Sequence, residues 1–373
     1  MNNPAQNGLP KSSRGPIRLA AVGVLLLPVD PNGKIPPRDI SRVFSGSAEF
    51  FKQYDVVLGN LECTLDGGCG TMATEPRVIS SPELISGIQA AGFTIVTLAN
   101  NHAFDCLREG FHRTRKLLEQ MNIAYFGAGD NLEEAEQPLI LDVKGIRLGF
   151  LSAVDRGTGP NQFAAPGQCG VVPLELSRLV NQIRQLHKQV DHVIVSVHWG
   201  SERFSIPSPA QIEQGHKMAE AGASLVLGHH PHVLQGMETW RGAVILYSLG
   251  NFVSSEVYFT DGDRVRWNRT ERTGCILTVE MDCQKILSVN QIPTYDTGDL
   301  IEMDGGRFGR RRIRRVNACL KKGVTLKRYR REYLRVTVIR PIISYFRWSR
   351  LKTLGFRQIK NGFARLFHLK KIT

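Results

Sequence analysis

The chain has 373 residues, 42% of them hydrophobic, and a formal net charge of +14; this composition supports a sizeable buried core and excludes a wholly disordered polymer. The charge is segregated, with 22 Lys/Arg against the single acid Glu332 between 307 and 373, and 26 basic against 33 acidic residues before that point. Seven cysteines (Cys63, Cys69, Cys106, Cys169, Cys275, Cys283 and Cys319) are odd in number and form no CxxC pair, so neither a disulfide framework nor a zinc ribbon is indicated, and a reducing compartment is expected.

Residues 1–16 are polar and rich in turn formers, which predicts a disordered arm. "IRLAAVGVLLLPV" then reads as a first strand: it is short, has no small-residue cleavage site and leads directly into the fold. No run reaches the roughly 18 to 20 apolar residues that a membrane-spanning helix needs. "DVVLGNLE", "FTIVTLANN", "HVIVSVHWG" and "SLVLGHH" are further short, nearly continuous apolar runs, the pattern of strands covered on both faces. Helices are predicted between them at "SPELISGIQAAG", "FHRTRKLLEQMN", "LELSRLVNQIRQLHKQV" and "SPAQIEQGHKMAEAG", the first and last opening on Ser-Pro and closing on Gly. Such alternation predicts a layered α/β core with mostly parallel strands. "LILDVKGIRLGFLSAV" reads as a hairpin turning at Lys144-Gly145, and "AVILYSLGNFV", "CILTVEMD" and "KILSVNQIP" add strands that favour a second sheet. The body is expected to span 17–300, followed by a basic tail over 301–373.

Polar side chains able to bind metal collect at the C-terminal ends of these runs: Glu62 after "DVVLGNL", Asn100, Asn101 and His102 after "FTIVTLA", His198 after "HVIVSV", and His229, His230 and His232 after "SLVLG". That edge is where ligands bind in open α/β sheets. Each residue also has a plainer reading. In it Glu62 caps a turn, "NNH" forms one, and His198 ends a core strand. Three imidazoles within four residues are harder to accommodate as packing. In an extended segment His230 and His232 point to one side and His229 to the other, and Pro231 restricts His230 to extended backbone. Imidazole nitrogen with carboxylate and amide oxygen suits zinc, manganese or iron. A set of this size can hold two ions about 3.5 to 4 Å apart, the geometry of phosphoester hydrolysis.

The motifs "GNLE" (59–62), "LANNHAFD" (98–105), "HWGSE" (198–202), "GHHPHVLQ" (228–235) and "YSLGNFV" (247–253) resemble, in order and spacing, those of the poly-γ-glutamate capsule biosynthesis proteins of the CapA type, over about 17–295. That family is similar to the calcineurin-like metallophosphatases. The resemblance implies an α/β/β/α fold, two sheets in a sandwich flanked by helices. It also implies metal ligation by Glu62, Asn101, His198, His230 and His232, with one or two divalent transition-metal ions. His102 would stand over the substrate phosphate as an acid or electrostatic contact. Asp105 would fix His102 or a ligand, or alternatively cap the helix before "CLREG". Glu202 would orient His198 or face solvent. One departure is marked: the family's first strand ends in Gly-Asp, the Asp being a ligand, and here Val24 follows Gly23.

Three functions follow as expectations. The first is a capsule-polymer biosynthesis protein hydrolysing or transferring at a phosphoester or acyl-phosphate centre. The second is a non-catalytic polymer-binding or assembly protein, and the third a nucleotide phosphodiesterase or nuclease. In the tail, cations alternate with aromatic and aliphatic residues. Ile359, Phe363, Leu366 and Phe367 fall near helical spacing, and Pro341, Gly355 and Gly362 interrupt it. An anionic membrane surface is the favoured partner, with nucleic acid as the rival and an anionic polymer or small phosphorylated substrate at the site. The expected location is the cytoplasm, at the inner face of the bacterial membrane.

Overall fold

The computed structural model describes residues 15–30, 33, 35–68, 70–72, 75–159 and 162–341. The arm at 1–14 and the tail positions Ile359, Phe363, Leu366 and Phe367 lie outside the described residues.

Two sheets face each other. The first runs in the order Ile301–Met303, Ile286–Asp296, Thr273–Met281, Ile17–Leu26, Val56–Leu61, Ile95–Thr97, Ala124–Phe126, with Asn251–Ser254 pairing alongside the far end of Ile17–Leu26. The second runs Met237–Trp240, Ala243–Leu246, Ala223–His229, His192–His198, Ile146–Val154, Leu139–Val143. In the second sheet a parallel centre is flanked by an antiparallel strand at each edge, whereas in the first the parallel strands run out to the Ala124–Phe126 edge and the antiparallel strands lie on the other side of Ile17–Leu26. The strands read as continuous apolar runs are the buried central ones, and the predicted hairpin is present, with left-handed Lys144 and Gly145 (φ 53° and 81°) closing it. This turn suits the right-handed twist of its flanking strands.

Three apolar layers result. Between the sheets lie Leu19, Leu58, Phe150, Ile194, Leu225 and Leu227. Outside the first sheet, the helices Ile40–Phe51 and Pro82–Ala90 enclose a phenylalanine cluster of Phe44, Phe51, Phe93 and Phe252. Outside the second, Leu176–His187 and Pro209–Glu220 cover Val195, Trp199 and Tyr247. The latter helix opens on a full capping box, Ser208 with Gln211, beside Pro209, which satisfies two otherwise unpaired amides. The layering is the α/β/β/α sandwich that the resemblance implied.

Two details depart from the sequence reading. "AVILYSLGNFV" is not one strand: Ala243–Leu246 belongs to the second sheet and Asn251–Ser254 to the first. The helix expected from "FHRTRKLLEQMN" starts earlier, at Leu107. Beyond 300 the described chain forms a strand, Ile301–Met303, and two helices, Gly306–Lys321 and Leu326–Leu334. Ile313 and Val316 of the first helix insert into the core between the sheets. Among the described residues no helix is long and apolar enough to cross a membrane.

Candidate functional site

Parallel strands deliver their C-terminal ends to one rim, and the polar residues stand there. Glu62 follows Val56–Leu61, Asn100 to His102 follow Ile95–Thr97, and His198 and His229 are the last residues of two neighbouring strands, paired Cα to Cα. Gly228 permits the close approach that this requires. A Cβ there would lie 2.0 Å from the Tyr247 carbonyl oxygen and 2.6 Å from Trp199 Nε1, so no larger residue fits beneath that crossing.

After His229 the chain stops alternating. His230 has φ 93° and His232 φ 54°, so the extended backbone inferred from Pro231 is not what aligns them. Two residues in the positive-φ region fold the segment inward, and their rings meet with centroids 6.0 Å apart, His230 also lying 4.9 Å from His198. Arg203 helps to hold the turn, its amide donating to the Pro231 carbonyl at 2.7 Å. His229 stays in the strand on the same side as Leu225 and Leu227 and faces the layer between the sheets.

The side chains converge on Glu62, which is fully buried. Its Oε1 lies 3.4 Å from His232 Nε2 and 3.8 Å from His198 Nε2. Asn60 Nδ2 donates to Glu62 Oε2 at 3.3 Å and stands 3.4 Å from His198 Nδ1, while His198 Nε2 donates to Asn101 Oδ1 at 2.9 Å. His232 Nδ1 donates to Asn251 Oδ1 at 2.9 Å, because the Asn251 amide nitrogen is occupied by the Glu271 carbonyl. That bond places a proton on Nδ1 and fixes the ring with Nε2 directed at Glu62 Oε1. Glu62, His198 and His230 each offer a ligand atom, all within 4.8 Å of one another.

Electrostatics favour an ion-ready state. Burial pushes His229 and His230 down to about 3, and burial followed by the neighbouring histidines holds His198 well below its ordinary range. Neutral imidazole is the ligating form. Burial raises the Glu62 carboxyl, with His232 and His102 opposing it. His102 behaves differently. Burial alone would lower it, but the Asp105 carboxylate, 2.8 Å from Nδ1, together with Glu62 raises it to about 9.

Of the residues singled out in the sequence, Glu62, Asn101, His198, His230 and His232 share this cluster, and His102 stands at its edge with 14% of its side chain exposed. Asp105 is not the helix cap, which is Cys106; its Oδ2 holds both His102 and the Val78 amide, the latter at 2.6 Å. Glu202 is exposed and His198 takes its bonds from Asn60 and Asn101, so Glu202 does not orient it. Asn60, Asn251 and His229 were missed as participants. The first two lie inside the motifs "GNLE" and "YSLGNFV"; His229 keeps the strand's alternation, and spacing alone does not show its buried, unpartnered ring nitrogens.

The donor set fits a divalent cation on grounds internal to the site. Glu62 Oε1, both ring nitrogens of His229 and Nδ1 of His230 are buried without a hydrogen-bond partner. Such an arrangement costs free energy unless a positive group satisfies it.

The profile described as "Bacterial capsule synthesis protein PGA_cap" matches residues 18–256. Among curated proteins, "Capsule biosynthesis protein CapA" of Bacillus anthracis is 32% identical over 242 residues, 63% of this chain and 56% of that protein. "PGA biosynthesis protein CapA" of Bacillus subtilis is 31% identical over 237 residues, covering 63% and 60%. The chain thus spans little more than half the length of these relatives. Among solved structures, the NAD nucleotidase of Haemophilus influenzae aligns with a TM-score of 0.45 and 16% identity, over 81% of this chain and 56% of that one.

Proposed function

Because the chain belongs to the bacterial capsule synthesis protein family PGA_cap, we propose that it serves the making of an anionic capsule-type polymer, poly-γ-glutamate being the example that the CapA resemblance implies. Its part is a metal-dependent hydrolysis or transfer at a phosphoester or acyl-phosphate centre. The observation that carries this reading is the buried Glu62, whose Oε1 has no hydrogen-bond partner and which, with His198 and His230, offers ligand atoms within 4.8 Å of one another. Glu62, Asn101, His198, His230 and His232 would hold one or two ions of zinc, manganese or iron. A bound ion of this kind activates water and polarises the oxygen of a phosphoryl or acyl group.

The protein's own residues supply the rest. Asn60 and Asn251 fix the rings of His198 and His232. Asp105 engages His102 at Nδ1, leaving Nε2 as the nitrogen that gives a proton to a leaving oxygen. His102, with 14% of its side chain exposed, is the most accessible of these residues. Metal analysis tests the reading: protein prepared without chelator and reloaded with manganese or zinc is expected to retain about one ion per chain or more. Retention below roughly a tenth of an ion, or the same retention in E62Q and H230A, overturns it. A second reading, a polymer-binding protein without turnover, is favoured by one observation only, Val24 where the family carries aspartate.

We further propose that the chain rests on an anionic membrane surface through its basic C-terminal region. Leu326, Leu334 and Ile339 are exposed, at 52%, 41% and 47%, beside Lys327 and Arg331. Apolar residues among cations suit the headgroup boundary. Sedimentation with vesicles of mixed neutral and anionic lipid is expected to bring the protein down at low salt and release it at high salt. Equal recovery with neutral vesicles, or binding to duplex DNA alone, refutes this.

A further inference from the structure

The loop after His198 is held from outside by the two C-terminal helices, which lie beyond the family-matched residues. Phe204 packs against Tyr329 and Tyr333, with ring centroids 5.5 and 6.0 Å away. Ser205 donates its amide to Glu332 at 3.0 Å, and Ser205 Oγ accepts from Arg312 at 2.6 Å and from Arg335 at 3.4 Å. Arg335 also grips Glu332 with Nε, at 2.7 Å, and with Nη2. The only acid of the basic region therefore places its carboxylate against a backbone amide and a guanidinium fork.

Glu332 leaves positive charge unbalanced. Arg312 Nε is buried and donates to nothing. Burial, then Arg315 and Arg335, brings the Arg312 guanidinium down to about 10, and burial, then Arg335, lowers Arg340, which Arg203 also reaches. The acids within reach are Glu332, Glu271, which lies 3.4 Å from Arg203, and exposed Glu202. Five arginines thus meet three acids. Arg203 and Arg335 keep 39% and 40% of their side chains exposed, so the cluster is open to a ligand.

The cluster also joins the histidine centre. The Arg203 amide holds Pro231, its side chain meets Glu271, and the Glu271 carbonyl accepts from Asn251, which accepts from His232. We propose that Arg203, Arg312, Arg335 and Arg340 form a polycarboxylate-binding subsite beside the histidine centre, seating successive carboxylates of an acidic chain whose reacting end lies at Glu62 and His102. Carboxylate is favoured over phosphate because the one anion already seated among these arginines is the planar carboxylate of Glu332, and Arg forks match that shape. This rests on the reading of the centre as acting on an anionic polymer.

The test is anisotropy of a fluorescein-labelled oligo-γ-glutamate on the full-length, metal-free chain. Binding is expected to weaken about tenfold or more in R312Q/R340Q, with a shallower salt dependence. On the outward face of the last helix, K327Q/R331Q is expected to change affinity less than about twofold. E332Q, which removes the competing charge and keeps an acceptor for Ser205, is expected to tighten binding roughly threefold or more. Equal affinity of folded R312Q/R340Q and wild type overturns the proposal, as does equal weakening by K327Q/R331Q. So does a polyphosphate of matched charge binding more than about tenfold tighter. Should R312Q/R340Q fail to fold, E332Q decides, and unchanged affinity there overturns the proposal. Ion retention separates the two readings. A wild-type chain that holds no metal yet loses the probe in R312Q/R340Q keeps the subsite and loses the centre, whereas normal metal retention with unaltered probe binding removes the subsite alone.

Discussion

Val24→Asp puts the aspartate that the CapA resemblance implies at a position paired with residues on both sides of the centre. Val24 is fully buried and pairs with Asn60 on one side and Asn251 on the other, the residues that orient His198 and His232. Without metal the change is costly. Burial of a valine is worth about 1.5 to 3 kcal/mol, and a carboxyl group left without a partner adds about 1 to 3 kcal/mol. A loss of roughly 3 to 5 kcal/mol is therefore expected, and at about 2 to 4 °C per kcal/mol for a large domain this lowers Tm by roughly 6 to 20 °C. With metal the deficit is expected to shrink. If the new carboxylate becomes a ligand, an ion at a hundred times its Kd returns about 2.7 kcal/mol, so most of the deficit disappears on reloading with manganese. Calorimetry of both proteins, with and without metal, together with ion counts, measures this directly. An equal deficit in both states, with no rise in ions per chain, would refute the view that position 24 adjoins the metal-holding residues. Val24→Asn is the control, expected to be destabilised without the same recovery.

Further predictions follow from single contacts. His229→Leu removes two buried nitrogens that lack partners, so metal-free protein is expected to gain roughly 1 kcal/mol in urea unfolding; a clear loss would mean that the imidazole has a partner. Gly228→Ala drives a methyl group into the Tyr247 carbonyl, and a cost of about 3 kcal/mol or more is expected. A midpoint shift under about 1 kcal/mol would show that the crossing is looser than described. Asp296 accepts from Arg38, at 2.8 and 2.9 Å, and from the Ser254 and Gly298 amides. Burial raises its carboxyl, but these partners more than offset that and leave it below its ordinary 3.8. Its contribution is therefore complete above about pH 4 and disappears as pH falls through 3.8 toward the folded value. Asp296→Asn should be less stable at pH 7 and lose less stability than wild type between pH 5 and roughly pH 3; parallel acid profiles would exclude the assignment.

The central strands were legible because a strand covered on both faces needs apolar residues at every position, and that pattern survives without knowledge of partners. Glu62, Asn101 and His198 were legible for the same reason, each standing where such a run stops. The segment 230–232 was not. Its positive φ angles are imposed by tertiary contacts such as Arg203 to Pro231, whereas local propensity argued for extended chain. Asp105 read equally as a cap or an anchor, and only its distant partner Val78 distinguishes them. In the C-terminal region abundant cations masked Tyr329, Glu332, Tyr333 and Val336, which share one helical face and turn toward Ser201 and Ser205.

The connection between Leu246 and Asn251 crosses from one sheet to the other, and its backbone is tied to both. Leu249 donates to Gly228 in the second sheet, while the Leu249 and Gly250 carbonyls accept from Cys275 and Val24 in the first. A shear of one sheet over the other would have to break these bonds together. Glu62 and His198, which arrive from opposite sheets, are thus kept in register by a rivet beneath them. Amide exchange at Val24, Leu249 and Cys275 should accordingly be as slow as global unfolding, with the turn around His102 exchanging far sooner.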